Sequence, residues 1–237
     1  ERLRGYEVAA GFAGRARLIA HIGALSTAEA VELGQAAGRM GYDALAAVPP
    51  FYFRHSPEAI LGYYRDIVSA TGMPVMLYNY PANTGVQLDF SQPAFRELLL
   101  TPGIVGLKHT NYDLRQMQQM LEINPGLVVL NGYEEVLPGA LALGATGAIG
   151  STFNCFLPFW KRVYDASRAG RNDEACGLAA RGARLVAAIS GGGLIAAIKY
   201  VLQKQGIAAG DPRKPFLPLT PLQRAAIDRA LEETPLD

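Results

Sequence analysis

Short apolar runs alternate along the chain with segments whose apolar positions recur every three or four residues. The runs span residues 17–22 (RLIAHI), 44–48 (ALAAV), 74–79 (PVMLYN), 104–108 (IVGLK), 127–131 (LVVLN) and 146–150 (TGAIG). Both faces of each run are apolar, which predicts strands of a parallel sheet covered on both sides. Helix signals fall between them. Ser26 and Glu29 have capping-box spacing and open a helix that runs toward Gly41. Ser56 followed by Pro57 is an N-cap with proline at the first helical position. Beyond it, Ile60, Leu61, Tyr64, Ile67 and Val68 share one helical face. Asp113 precedes Leu114, Met117 and Leu121 at helical spacing, and residues 135–143 predict a helix with Pro138 in its first turn. Repeated strand–helix units of about 20 to 31 residues imply parallel βα architecture with right-handed crossovers. After Gly150 the strands stop. Four helical stretches follow, at 159–169, 172–189, 194–205 and 221–233, and Thr220, Pro221 and Gln223 start the last with a capping box. The GlyGlyGly at 191–193 marks a helix break.

Composition narrows the class. Half of the 237 residues are apolar and 18% are charged, a globular balance able to bury a sizeable core. The net charge is +1 and no Lys/Arg block occurs, so neither a nucleic-acid nor a membrane partner is indicated. No apolar run reaches the roughly 18 residues of a spanning helix. The opening ERLRGYEVAAGFAGRARLIAHIG lacks the apolar stretch of a signal peptide and reads as the interior of a helix, without an initiator Met. Cys155 and Cys176 form no disulfide framework, and no Cys/His spacing resembles a metal site. The expectation is a soluble, reduced, cytoplasmic protein.

Chemistry in parallel βα folds gathers at the C-terminal ends of the strands. Lys108 ends the run IVGLK. Desolvation there disfavours the ammonium, and a neutral amine can attack a carbonyl and form a Schiff base. The plainer reading is a lysine snorkelling from a strand end. Thr110 falls on the Lys108 side if the strand continues, whereas His109 points the other way and reads as structural. Tyr78 ends the preceding strand, about 30 residues earlier, and adjacent strands lie ~5 Å apart. Its phenol can relay protons to a lysine adduct or simply pack. Glu134 and Glu135 can hydrogen-bond a polyol, do acid–base work or offset the dipole of a first helical turn. Ser151 and Thr152 can cap a helix, bind phosphate or meet substrate hydroxyls.

Taken together, LYNYPANTG and IVGLKHTNYDL, followed in order by NGYEE and GAIGSTFN, resemble the N-acetylneuraminate lyase and dihydrodipicolinate synthase superfamily of Schiff-base aldolases. The resemblance runs from ARLIAHIGALSTAEA to GDPRKPFLPLTP. It implies an α/β fold, an eight-stranded (β/α) TIM barrel with a C-terminal helical extension. Residues 1–155 would form the barrel portion, and residues 156–237 the last barrel helix with the extension. It implies Lys108 as the imine-forming lysine, Tyr78 as the proton-transferring tyrosine and Thr110 as a hydroxyl near the adduct. Tyr52, in PPFYF, matches a tyrosine inserted into a neighbouring subunit's site, which implies a homotetramer. NGYEE and GSTFN are similar to the lyases' NGYDE and GSTYN, and KHTNYDL and QMQQML also look closer to the lyases. Glu134, Glu135 and Ser151 would then hold the sugar's polyol tail, with Glu134 one methylene longer than the familiar Asp, and Gly132 would be a further substrate-binding residue. The implied reaction is reversible cleavage of a 2-keto-3-deoxy sugar acid, N-acetylneuraminate, to pyruvate and an aldehyde. The covalent imine would take the place of any cofactor.

One departure stands at the front. The family's Gly-Gly-Ser/Thr-Thr-Gly-Glu loop, which binds the ketoacid carboxylate, has no counterpart here. This leads to the expectation that the first two βα units are absent, leaving a barrel with open edges. Two alternative functions follow: a dihydrodipicolinate synthase or ketodeoxygluconate aldolase/dehydratase using the same lysine and tyrosine, or an inactive truncated paralogue.

Overall fold

The computed structural model describes residues 1–235, so the last two residues of the 156–237 segment lie outside the described residues. The chain divides into two compact units, residues 1–132 with 143–146 and residues 133–142 with 147–237.

In the first unit, helices and strands alternate: α1 (Arg2–Ala10), β1 (Ile19–His21), α2 (Thr27–Arg39), β2 (Ala44–Ala47), α3 (Pro57–Thr71) and β3 (Val75–Asn79). Then come α4 (Pro81–Thr84), α5 (Pro93–Leu100), β4 (Ile104–His109), α6 (Leu114–Ile123) and β5 (Val128–Asn131). The strands pair in parallel with their sequence neighbours, in the registers Ala20↔Leu45, Ala47↔Leu77, Leu77↔Leu107 and Leu107↔Val129. Leu45, Ala47, Leu77, Leu107 and Val129 are completely buried, so the pleat interior is a continuous apolar layer. The helix starts follow the local signals. Ser26 Oγ accepts from Glu29 N–H, Ser56 Oγ from Ala59 N–H and Asp113 Oδ1 from Gln116 N–H. On α3, Ile60, Leu61, Tyr64 and Ile67 are buried, and the Tyr64 hydroxyl donates to Ala47 O at 2.8 Å. Gly34 lets α2 approach the sheet, since a Cβ there would lie 2.8 Å from Thr71 Cγ2 and 3.0 Å from Leu45 Cδ1. Two short helices, α4 and α5, were not expected; each opens on a proline, but neither has a side-chain cap.

The second unit opens with a 3-10 turn at Glu134–Val136, then α7 (Leu137–Ala142), β6 (Gly147–Ala148), α8 (Phe153–Arg168), α9 (Asn172–Ser190), α10 (Leu194–Lys204) and α11 (Pro221–Glu233). The predicted helix at 135–143 is thus a 3-10 turn followed by α7. Helix α8 starts well before the expected residue 159; Pro158 lies inside it and the backbone leaves helical geometry at Phe156. Phe159, Trp160, Val163, Leu185, Ile189, Ala197 and Ile227 form the core of this unit. The capping box at Thr220 is complete, with Thr220 Oγ1 accepting from Gln223 N–H and Gln223 Oε1 from Thr220 N–H. The boundary between units differs from the expected 155/156: α7 packs on α8 and α9, and Ala148 of β6 borders the same core. Among the described residues no single helix is long and apolar enough to cross a membrane.

Candidate active site

Strand register places the two central side chains. Tyr78 and Lys108 are direct partners across β3 and β4, and strand alternation turns both to the same face. Lys108 Nζ donates to the Tyr78 hydroxyl at 2.9 Å and sits 4.3 Å from the centre of its ring. Both residues are half-buried. A lysine snorkelling from a strand end has no need of such a partner; an amine held against a phenol can pass protons through it.

Neighbours fix the phenol. Tyr80 stacks on Tyr78 with ring centres 5.7 Å apart and planes 10° from parallel, and His21 meets its edge at 5.8 Å and 87°. His21 comes from the end of β1, whose carbonyl accepts from Arg2 Nη2 at 2.7 Å and from the Tyr6 hydroxyl at 2.6 Å. Surrounding protein, then the positive charges of Arg2 and Lys108, lower the His21 imidazole to about 4, although the residue as a whole is exposed. It is therefore neutral at pH 7. His21 lies near the end of the predicted run 17–22, where the sequence gives it no role, and Tyr80 falls just after the run 74–79 with no signal of its own. Aromatic partners of Tyr78 leave no local signal, because the sheet brings them together.

Thr110 follows β4 directly. Its N–H donates to Asn79 O at 2.9 Å, extending the β3–β4 ladder past the strand. Its hydroxyl is buried without a hydrogen-bond partner, a costly condition that a polar ligand would relieve. Gly132 follows β5 and donates its N–H to His109 O at 2.8 Å. A Cβ on Gly132 would collide with Thr110 Oγ1 and Cα, so glycine is required by this close approach. Lys108, Tyr78, Thr110 and Gly132 are thus gathered in the first unit. Tyr52, in the same unit, is 75% exposed and meets Phe53 edge-on at 4.9 Å, with no place beside Lys108 among the described contacts.

In the second unit Glu134 holds a buried threonine. Glu134 is 4% exposed, and its Oε1 accepts from Thr152 N–H at 2.7 Å and from Thr152 Oγ1–H at 2.9 Å. Thr152 Oγ1 in turn accepts from Trp160 Nε1–H at 2.8 Å. Glu134 therefore organises the turn before α8 with one oxygen. Gly150 is necessary beside it, since a Cβ there would lie 2.5 Å from the Glu134 carboxyl carbon. Glu135 is half-buried, its Oε2 has no partner, and burial followed by the nearby Glu134 charge raises its pKa. Ser151 is half-buried, with its carbonyl accepting from Asn154 Nδ2–H. Burial pushes the Cys155 thiol up to about 12, which suits an inert cysteine.

The chain belongs to a family of known chemistry: the sequence pattern of the Dihydrodipicolinate synthetase family matches residues 6–234, and this match lends no support to the expected loss of two βα units. The N-acetylneuraminate lyase of Rhizobium meliloti (strain 1021) is 36% identical over 225 residues, 95% of this chain and 74% of that protein. That of Enterobacter sp. (strain 638) is 38% identical over 208 residues, 87% of this chain and 69% of that protein. The crystal structure of N-acetylneuraminate lyase from Fusobacterium nucleatum complexed with pyruvate superposes with a TM-score of 0.91 at 32% identity, covering 98% of this chain and 78% of that one. These likenesses make the architecture TIM-barrel-like and the chemistry that of a carbon–carbon lyase of the class I aldolase type.

Proposed function

We propose that this chain cleaves N-acetylneuraminate reversibly to pyruvate and N-acetylmannosamine through an imine on Lys108. The observation that carries the reading is the 2.9 Å contact between Lys108 Nζ and the Tyr78 hydroxyl at paired strand ends. The named activity of the relatives supports the choice of substrate. Lys108 attacks the keto carbon of the open-chain sugar acid, and loss of water gives the protonated imine. Tyr78 takes the proton of the C4 hydroxyl as the bond between C3 and C4 breaks. The bond electrons flow into the imine and leave an enamine. Tyr78 then returns its proton to C3, and hydrolysis frees pyruvate and lysine. The imine serves as electron sink, so the proposal includes no dissociable cofactor or metal.

Thr110 and Gly132 are proposed to face the adduct, and Glu134, Glu135 and Ser151 to receive sugar hydroxyls. A homotetramer in the cytoplasm, with Tyr52 completing a neighbouring subunit's site, belongs to the same proposal. The 75% exposure of Tyr52 supports it. Light scattering of the purified chain should give four times the monomer mass, and a monomer that turns over at full rate would end that part.

The deciding experiment is borohydride reduction with pyruvate, followed by peptide mass spectrometry. A reduced pyruvyl adduct is expected on Lys108 and nowhere else; a folded protein without the adduct refutes the imine. Pyruvate release from a panel of keto sugar acids sets the substrate. Release from 2-keto-3-deoxygluconate but not from N-acetylneuraminate would transfer the assignment to that sugar acid.

A further inference from the structure

Behind the reacting pair, on the opposite face of the same two strands, lies a chain of buried side chains that runs between two backbone carbonyls. Asn79 and His109 are the residues after Tyr78 and Lys108, are themselves register partners, and are completely buried. Gln116, from the first turn of α6, is 6% exposed. Asn79 Nδ2 lies 2.8 Å from Gln116 Oε1 and 3.1 Å from His109 Nδ1. Gln116 Nε2 donates to Leu88 O at 3.0 Å, and His109 Nε2 lies 3.0 Å from Asp113 O.

The two end carbonyls determine the direction of every bond between them. Leu88 O only accepts, so the Gln116 amide nitrogen faces it and Gln116 Oε1 faces Asn79. Asn79 must then donate, and its second N–H points at His109 Nδ1. That nitrogen therefore carries no proton. The imidazole proton sits on Nε2 and is donated to Asp113 O, the carbonyl of the residue that caps α6. Burial, which lowers the pKa of His109, agrees with a neutral ring. The chain thus clamps four pieces of backbone: the end of β3, the end of β4, the start of α6 and the irregular segment at Leu88.

We propose that His109, with Asn79 and Gln116, is a positioning residue for the lysine–tyrosine pair: the buried chain fixes the ends of β3 and β4 so that the Tyr78 hydroxyl stays within reach of Lys108. The inference rests on the imine mechanism proposed above. Backbone bonds from the same residues carry the clamp to the reacting face. Asn79 O accepts from Thr110 N–H, and His109 O from Gly132 N–H at 2.8 Å. A shift of about 1 Å between reacting groups costs ~10²-fold in rate, so a clamp on the residue next to each group is worth building.

The test uses the full chain with N-acetylneuraminate as substrate. His109→Leu removes both the acceptor and the donor, whereas His109→Gln returns one of each on a side chain of similar reach. The expectation is a kcat loss of roughly 10- to 10²-fold for His109→Leu with KM changed by less than about 3-fold. His109→Gln should recover most of that loss. In a Tyr78→Phe background, His109→Leu should cost under about 3-fold more, because the geometry it protects is already without use. An unchanged kcat, or an equal loss in both backgrounds, overturns the proposal. If His109→Leu gives no cooperative melt, Gln116→Met carries the same comparison at similar volume. Nitrogen NMR of the wild-type imidazoles adds a readout independent of turnover: His109 protonated at Nδ1 at neutral pH overturns the arrangement. Failure of the imine mechanism shows in the wild type as absent pyruvate trapping; failure of the positioning role shows only in the variants and the tautomer.

Discussion

Lys108 and Tyr78 carry different parts of the proposed reaction, so their substitutions should separate. Lys108→Arg keeps a positive charge but cannot form the imine, and it should abolish both pyruvate trapping and turnover. Tyr78→Phe keeps the ring between His21 and Tyr80 and loses only the proton path. A kcat loss of ~10²- to 10⁴-fold with trapping retained is expected, the usual weight of a general acid–base group. Loss of trapping in Tyr78→Phe would instead place the phenol in imine formation. Thr152 poses a question of stability. Its hydroxyl donates to Glu134 and accepts from Trp160 Nε1–H. Thr152→Val strands a buried indole N–H and takes one donor from a buried carboxylate, so a loss of roughly 2–3 kcal/mol is expected in denaturant unfolding. Thr152→Ser, which restores the hydroxyl, should stay close to wild type.

The turn after α5 shows how elements are joined. Gly103 has φ +92°, and a Cβ there would run into Val68 on α3. Its carbonyl accepts from Val75 N–H at 2.8 Å, at the start of β3. Gly103→Ala therefore combines an unfavourable backbone with a clash at the foot of the strand that carries Tyr78. A destabilisation above about 1 kcal/mol is expected by thermal or denaturant melting. The element pattern was largely legible in sequence. Each strand falls on one of the predicted runs, β4 reaching one residue past its run to His109, and α2, α3, α6 and α11 start at the predicted caps, because these signals are local. Helices α4 and α5 were not legible. They are four and eight residues long, too short for periodicity to show, and both lack side-chain caps.

For the molecule as a whole, acid stability follows from its histidines. His21 is lowered from 6.5 to about 4, and His109 is lowered as well. Between pH 6.5 and about 4 the unfolded chain binds a proton at His21 that the folded chain refuses. This contribution is present in full above 6.5 and is lost as the pH falls through that window. Glu135 acts in the opposite sense, since its raised pKa makes the folded state the better proton binder as acid is added. With two histidines against one carboxyl, Tm should fall from about pH 7 to about pH 5, before the lowered Asp43, Asp89 and Asp228 titrate. His21→Gln should flatten that decline. A slope identical to wild type would mean that the imidazole is not held neutral by the fold.

The division of information between sequence and structure runs along the range of the interactions. Strand runs, helix caps and the order of the βα units are local properties, and the spacing of Tyr78 and Lys108 already put them at neighbouring strand ends. Their family resemblance was legible because several such segments occur in one order. Tertiary structure alone decided that the phenol lies 2.9 Å from the amine, between His21 and Tyr80. It also committed one oxygen of Glu134 to Thr152, where the residues themselves had left a polyol and a helix dipole open. His109 read as structural because it points away from Lys108, and that is where it points. Its bonds to Asn79, 30 residues earlier in the chain, exist only once β3 and β4 lie side by side. Hydrogen bonds between side chains depend on positions set by the whole sheet, and no short stretch of sequence holds that information.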